Sequence, residues 1–252
     1  MAGHSKWANI KHKKAKEDAK RAKVFTKHIR EITVAAREGG GDPDANPRLS
    51  LAIENAKADN LPKDNIERAI KKGTGELDEG EGRYEDATYE GYGPGGVAYF
   101  VEVTTNNYNR TVGEIRHIFS KHGGNLGQDG SVAYLFDQKG LIRLQSEGID
   151  EEEFMLTAID AGAEEMENEG GFFEVYTVRE SLFDVRQNLE EAGYDIGSAE
   201  LVRIPQTEVK VDADTARSNF KLIEKLEDND DVSEVFNNML MDEETLAIGE
   251  QM

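Results

Sequence analysis

Basic side chains are concentrated in the first 38 residues of the chain, and their chemistry suits phosphate binding. This stretch contains eleven Lys or Arg residues against four carboxylates, a net charge of +7 in a chain of formal net charge −21. Lysine and arginine neutralise phosphates, while polar and aromatic neighbours can contact bases or sugars. The candidate nucleic-acid contacts are His4, Lys6, Trp7, Asn9, Lys11, His12, Lys13, Lys14, Lys16, Lys20, Arg21, Lys23 and Lys27.

The single tryptophan, Trp7, lies among these lysines and has two compatible interpretations. An aromatic ring between basic residues can stack on a base while the lysines hold phosphates. The ring can equally anchor the basic segment on the helices behind it. Both interpretations stay open, because an anchored segment still presents its lysines.

Two glycine-rich segments are a second candidate for contact with a nucleic-acid backbone. Glycine lets main-chain amides approach and face a phosphate. Ordinary turn formation also explains these glycines, and for the first segment we favour it. The candidate residues are Tyr92, Gly93, Gly95 and Gly96 in the first segment, and Gly124, Asn125 and Gly127 in the second.

The residue patterns of familiar catalytic and metal sites are missing from the sequence. The chain has no cysteine, which excludes disulfides, thiol nucleophiles and cysteine-based zinc sites. The glycines from Gly91 precede a predicted strand, whereas a dinucleotide-binding loop follows one. His117 and His122 are five residues apart, a poor chelating step on a helix. We therefore predict no catalytic residue, no metal, no cofactor and no enzymatic activity.

The charge is divided unevenly along the chain. Residues 1–77 have a net charge of +6, and the remainder has −27. The acidic remainder either provides solubility or repels nucleic acid, so that only the basic module docks. No apolar run is long enough to span a membrane, and no apolar stretch follows the basic N-terminus. We expect a cytoplasmic protein with no membrane partner.

Helical periodicity begins after the basic segment. Apolar residues recur at three- and four-residue steps over 19–37, 47–59 and 63–72, and the glycines at 39–41 and 73 are end signals. Asn46 followed by Pro47 is a typical helix start. The pattern predicts a basic N-terminal three-helix domain, 1–77.

The rest of the chain alternates short strands with helices, which predicts an α+β protein of three domains. Strands are predicted at 88–91, 97–103, 131–136, 140–145, 172–178, 199–204, 207–211 and 232–236. The first helix of this part is predicted to begin at a cap, Asn109 or Thr111, and to end at 122. Further helices are predicted at 150–168, 180–192 and 213–228. We predict two small α/β-sandwich (ferredoxin-like) domains: a discontinuous middle domain, 78–130 plus 206–240, and an inserted domain, 131–205. An acidic, loose tail is predicted at 241–252.

Five motifs in order resemble the YebC/PmpR family. They start at Gly3 (GHSKWANIKHKK), Gly39 (GGGDPDANPRL), Tyr89 (YEGYGPGG), Asn109 (NRTV) and Gly123 (GGNLGQDGSVAYLF). The resemblance implies a helical N-terminal domain, two α+β domains and no enzymatic activity. Bacterial members of that family are described as probable transcriptional regulators that bind DNA, and other members, including a mitochondrial translational activator, act in protein synthesis.

Three functional hypotheses follow. The first is a nucleic-acid-binding regulator of gene expression. It acts on DNA as a transcriptional regulator or, alternatively, on ribosomal RNA as a translation factor that relieves stalled elongation on the ribosome. The second is a protein–protein adaptor that uses the acidic domains. The third is a metal-dependent hydrolase of nucleic acid. Under each hypothesis we expect a monomer or a weak oligomer.

Overall fold

The computed structural model describes residues 18–77 and 83–251, with side chains from residue 22 onward. These residues form an α+β protein. A three-helix region comes first in the chain, and two four-stranded antiparallel sheets with their helices follow. The predicted α+β class is therefore correct. In the described part of the chain, no helix is both long and apolar enough to cross a membrane.

The first three helices form where the sequence predicts them. They are α1 (Asp18–Gly39), α2 (Pro47–Ala58) and α3 (Lys63–Gly73). The Asn46 side chain caps α2 by accepting from the Leu49 amide at 3.1 Å. Its amide nitrogen also donates to the carbonyls of Ala35 and Gly40, each at 2.8 Å. One buried asparagine thus joins the end of α1 to the start of α2.

The first sheet has the strand order β3-β1-β2-β8. Its strands are β1 (Glu85–Tyr92), β2 (Ala98–Thr105), β3 (Asn125–Leu126) and β8 (Val232–Asn237). Two helices, α4 (Tyr108–Lys121) and α7 (Ala213–Glu227), share its core. Alternate residues of β2 from Tyr99 enter that core, where Tyr99 meets Phe119 edge-to-face with ring centroids 5.7 Å apart.

The second sheet has the order β5-β6-β4-β7. Its strands are β4 (Phe136–Gln145), β5 (Glu165–Glu169), β6 (Phe172–Val178) and β7 (Ser198–Pro205). Helices α5 (Glu151–Ala161) and α6 (Leu182–Glu191) supply apolar residues to its core. Phe154 stacks on Phe173 there, with ring centroids 4.6 Å apart.

The predicted hairpin of strands 131–136 and 140–145 is wrong. Residues Ala133–Leu135 form a 3₁₀ turn, and Phe136–Gln145 is one continuous strand. The buried carboxylate of Glu90 explains the turn. It accepts from the amides of Gly130, Val132 and Ala133 at 2.6–2.8 Å, so a neighbouring strand cannot use these amides.

The predicted helix 150–168 is too long, because α5 ends at Ala161. Gly162 follows with φ +108°, a left-handed conformation that favours glycine and ends a helix. The glutamate-rich residues beyond it form strand β5 instead. This strand pairs antiparallel with β6, from Glu165 opposite Tyr176 to Glu169 opposite Phe172.

Two predictions near the C-terminus are also wrong. The segment 207–211 is not a strand and makes only an isolated bridge between Val209 and Met239. The tail is not loose over its described residues, because α8 (Glu243–Glu250) forms there with Asp242 as its N-cap. Met241 and Ile248 are buried in the core of the first sheet, and this burial holds the last helix in place.

Contacts group the described residues into two compact units. The first unit contains 18–34, 83–137 and 204–251, and the second contains 35–77 and 138–203. The first unit contains the first sheet, and the second unit contains the second sheet except for the strand ends 136–137 and 204–205. The three domain boundaries given above stay a prediction.

Candidate nucleic-acid interface

The structure describes only part of the predicted basic interface. Lys20 and Arg21 lie in the first turns of α1, and the side chains of Lys23 and Lys27 are placed further along it. The other predicted contacts lie outside the described residues: His4, Lys6, Trp7, Asn9, Lys11, His12, Lys13, Lys14 and Lys16.

Lys23 and Lys27 contact the protein's own chain. The Lys23 ammonium lies 2.9 Å from a carboxylate oxygen of Asp228 and 3.1 Å from its carbonyl. The Lys27 ammonium lies 3.4 Å from the carbonyl of Ser233. Both partners belong to the segment that connects α7 to β8 or to β8 itself. One basic face of α1 therefore docks on the first unit.

Arg30, one turn further along α1, completes this contact. Its guanidinium lies 2.9 Å from the Asp231 carboxylate and 3.3 Å from the Thr104 carbonyl, and it also donates to the Asp230 carbonyl. It lies 5.0 Å from the centre of the Tyr84 ring, within the range of a cation–π contact.

We call this set of contacts the α1 anchor. It consists of three basic residues of α1 and their partners: Lys23, Lys27 and Arg30 with Asp228, Asp231 and Ser233.

Asp231 is the centre of the α1 anchor and is 3% exposed. Its second oxygen accepts from Arg110 and Thr111 at 2.6 Å each, and from Thr105 at 3.2 Å. Burial by itself raises the pKa of this carboxyl. The hydrogen bonds from Thr111 and Arg110, with the charges of Arg110 and Arg30, outweigh burial and hold the pKa below its ordinary value.

The sequence prediction missed the α1 anchor and also misplaced the start of α4. The N-cap is Asn107, which accepts from the Arg110 amide at 3.1 Å, and not the predicted Asn109 or Thr111. This cap places Arg110 and Thr111 in the first turn, where both reach Asp231. The sequence contains the acidic residues at 228–231 and a basic first helix, which could have indicated this contact. Sequence alone, however, does not pair segments that are about two hundred residues apart.

The glycine-rich segments use their amides within the fold. Gly93 donates to Val97 at 2.8 Å and Gly96 to Gly93 at 3.2 Å. Gly124 donates to Phe119 at 2.8 Å and Gly127 to Glu90 at 2.7 Å. A phosphate at these segments would have to replace these bonds or use other groups.

Close packing also explains two of these glycines. A Cβ atom at Gly93 would lie 2.5 Å from the Tyr99 ring, and one at Gly124 would lie 2.7 Å from the Tyr92 carbonyl. Asn125 pairs with Tyr92 in the first sheet, and Gly95 adopts φ +74° in the turn before β2. Turn formation and packing are therefore sufficient reasons for glycine at these positions.

A basic pocket lies in the first unit between the C-terminal ends of α4 and α7. It has a volume of about 210 Å³ and is lined by His117, Ile118, Lys121, His122, Lys225, Asp228 and Asn229. Burial, followed by the charges of Lys121, Lys225 and Lys221, lowers the pKa of His122 from its ordinary value. Across residues 18–77 and 83–251, no group of three His, Asp or Glu side chains is arranged to hold a metal ion.

The fold and charge distribution define an α+β protein whose basic first helix contacts acidic residues of the first unit. Two family models match the chain: the TACO1/YebC protein N-terminal domain over residues 5–76, and the TACO1/YebC second and third domain over residues 84–239. The chain belongs to the TACO1/YebC family. The resemblance found in the five sequence motifs is thereby confirmed.

Similar proteins occur in several bacteria. A protein of Persephonella marina is 56% identical over 249 residues, covering 98% of both chains. A protein of Geobacter sulfurreducens is 56% identical over 239 residues, covering 94% of this chain and 95% of its own. Both are named as probable transcriptional regulatory proteins.

A solved structure has the same fold. The crystal structure of a conserved hypothetical protein from Aquifex aeolicus, Aq1575, matches with a TM-score of 0.84 and 48% sequence identity. The match covers 91% of this chain and 96% of that chain. The arrangement of helices and sheets is therefore shared with an experimentally determined protein.

Proposed function

We propose that this protein is a non-enzymatic, cytoplasmic regulator of transcription that binds DNA through its basic N-terminal residues. The observation that carries the proposal is the net charge of +7 on the first 38 residues of a chain whose net charge is −21. Such a separation directs a polyanion to the N-terminal part of the chain. The names of the bacterial relatives support transcription as the process.

The α1 anchor supports two separate roles for the basic residues. Lys23, Lys27 and Arg30 form the base of the interface, because their positive groups contact the first unit. The preceding basic residues, from His4 to Arg21, are the proposed DNA contacts. The backbone at Lys20 and Arg21 is held within the anchored helix α1, which reduces the entropy lost when these two residues bind.

We also propose the finer domain organisation. The three domains are 1–77, 78–130 with 206–240, and 131–205, followed by the segment 241–252. The two α+β domains are ferredoxin-like sandwiches, and the middle one is discontinuous. The pairing of β8 with β2 supports the discontinuity, because it joins residues 232–237 to residues 98–105.

Charge reversal of the N-terminal lysines tests the DNA-binding proposal. The change is Lys11→Glu, Lys13→Glu and Lys14→Glu in the full chain, and binding to duplex DNA is measured by fluorescence anisotropy in a salt series. With six to ten phosphate contacts, wild-type affinity should fall about 10³- to 10⁵-fold between 50 and 200 mM salt. The triple variant should lose binding.

A matched control carries the same change of charge elsewhere. Lys57→Glu, Lys63→Glu and Lys71→Glu alter three exposed lysines of α2 and α3 and should leave most of the affinity. Equal losses in both triple variants would show a non-specific charge effect and contradict the proposed site.

In-cell crosslinking, followed by sequencing of the bound DNA and RNA, then distinguishes DNA from ribosomal RNA as the target. Peaks at promoters support the proposal, whereas a single ribosomal RNA peak contradicts it.

A further inference from the structure

The basic pocket between α4 and α7 is unusual because most of this chain is acidic. Lys121 and His122 come from the end of α4, and Lys221 and Lys225 come from α7. The carboxylates around it are Asp228, Glu224 and Glu114, which accepts from the pocket residue Asn229 at 2.7 Å. With Lys23, four lysines face these three carboxylates. Residues 78–252, which contain all of these groups except Lys23, have a net charge of −27. A local excess of positive charge in this region therefore stands out.

The negative charge in the pocket is already compensated. Asp228 lies 2.9 Å from the Lys23 ammonium through one oxygen and 3.0 Å from the Lys225 ammonium through the other. The two lysines hold the pKa of Asp228 below its ordinary value, against the opposing effect of burial. Two cations on one carboxylate leave a surplus positive charge, to which Lys121 adds.

The ordinary explanation for these cations is stabilisation of helix ends, since Lys121 and Lys225 both occupy the last turn of a helix. Backbone hydrogen bonds at these two helix ends make stabilisation by cations less necessary. His122 donates its amide to the carbonyls of Ile118 and Phe119, and Gly124 donates to Phe119. Asp228 donates its amide to Glu224 and Leu226. Several terminal carbonyls are therefore already satisfied by backbone amides.

The pocket is also close to the proposed interface. Lys23 of α1 shares Asp228 with the pocket lysine Lys225. At 1.5 Å per residue, the first residue of α1, Asp18, lies only about 8 Å along the helix from Lys23. The first turns of α1, which carry the proposed contacts Lys20 and Arg21, thus lie near this pocket, and one nucleic acid can reach both.

We propose that this pocket binds a backbone phosphate of the nucleic acid and so extends the interface onto the first unit. Lys121 and Lys225 supply the charge, and the rings of His117 and His122 supply N–H donors at its edge. A volume of about 210 Å³ accommodates a phosphate group with its water. Burial is the main cause of the lowered pKa of His122, and the charges of Lys121, Lys225 and Lys221 lower it further; an anion would offset these charges. The identity of the ligand rests on the function proposed above, whereas the anion site itself does not.

The first test uses inorganic phosphate and the histidine ring signals of the full-length protein in NMR. Phosphate should shift the signals of His117 and His122 saturably and should raise the pKa of His122, because a bound anion stabilises the imidazolium. Lys121→Ala should weaken this response several-fold. Lys63→Ala, which removes an exposed lysine of α3, should leave it unchanged. An absent response, or an equal response in both variants, overturns the site.

The second test uses the salt dependence of DNA binding. Loss of one phosphate contact in Lys121→Ala should reduce the slope of log affinity against log salt by about 0.9, and Lys63→Ala should retain the wild-type slope. An unchanged slope in Lys121→Ala overturns the pocket as part of the interface while DNA binding stands. A histidine response to phosphate without any DNA binding would support the anion site and contradict the proposed function.

Discussion

The carboxylate of Asp231 joins α1, β2 and α4 in the first unit. It contacts Arg30, Thr105, Arg110 and Thr111 while being almost completely buried. A buried charge is stable only when it is paired and hydrogen-bonded, and removal of one partner leaves the others uncompensated. Asp231 therefore contributes to the position of α1 through its contact with Arg30.

Replacement of this carboxylate tests its role. Asp231→Asn should lower the free energy of unfolding by about 3 kcal/mol, because the partly buried Arg30 loses its counter-charge. Urea denaturation measures the loss. The control is Asp230→Asn, which changes an exposed neighbour and should alter stability by less than about 0.5 kcal/mol. Similar losses in the two variants would contradict a special role for Asp231.

The lowered pKa of Asp231 also predicts a dependence on pH. Its folded pKa lies below the ordinary value of 3.8, so its stabilising contribution is present above that value. The contribution is lost as the pH falls from about 4 through the folded pKa. Urea midpoints measured between pH 3 and pH 7 should fall less steeply at the acidic end in Asp231→Asn than in the wild type. Parallel curves would refute this assignment.

Two glycines provide a matched pair for the packing argument. Gly93→Ala should lower the free energy of unfolding by about 1–3 kcal/mol, because the new methyl group meets Tyr99 and Asn219 within 2.7 Å. Gly113, inside α4, has open space around its missing Cβ atom. Gly113→Ala should therefore raise stability by about 0.5–1 kcal/mol. Thermal unfolding of the two variants should show shifts of opposite sign.

Among the elements, α8 shows how tertiary packing overrides composition. Its sequence is acidic and short, which suggested a loose tail, but Ile248 is 8% exposed and packs in the first core. A short helix gains most of its stability from such packing. Three other elements, α2, α7 and β6, were predicted nearly to the residue.

Removal of the Ile248 contact tests the docking of α8. Ile248→Ala should lower the free energy of unfolding by about 2 kcal/mol or more, because buried methyl groups are lost from the core. Hydrogen exchange should then show faster exchange of the α8 amides. Glu244→Ala removes an exposed side chain from the same helix and should leave this exchange slow. Fast exchange of α8 in the wild type would refute its docking.

At the scale of the whole molecule, the acidic surface should disfavour nucleic acid. Glu152→Gln and Glu153→Gln remove two exposed charges from the first turn of α5. DNA affinity should rise severalfold at about 10 mM salt, where the screening length is about 30 Å, and change little at 150 mM. Anisotropy titrations at both salt concentrations provide the measurement. A gain that persists at 150 mM would indicate a direct contact and not long-range repulsion.

The sequence by itself determined the α+β class, most helices and strands, the family and the charge separation. These properties depend on local periodicity, end signals and composition, which act over a few residues. Only the tertiary structure decided that Glu90 converts a predicted strand into a turn and that Asp231 fixes α1. It also brought His122 and Lys225 to one pocket. Each of these features joins residues that are about 40 to 200 positions apart, and sequence patterns specify no such pairing until the chain has packed.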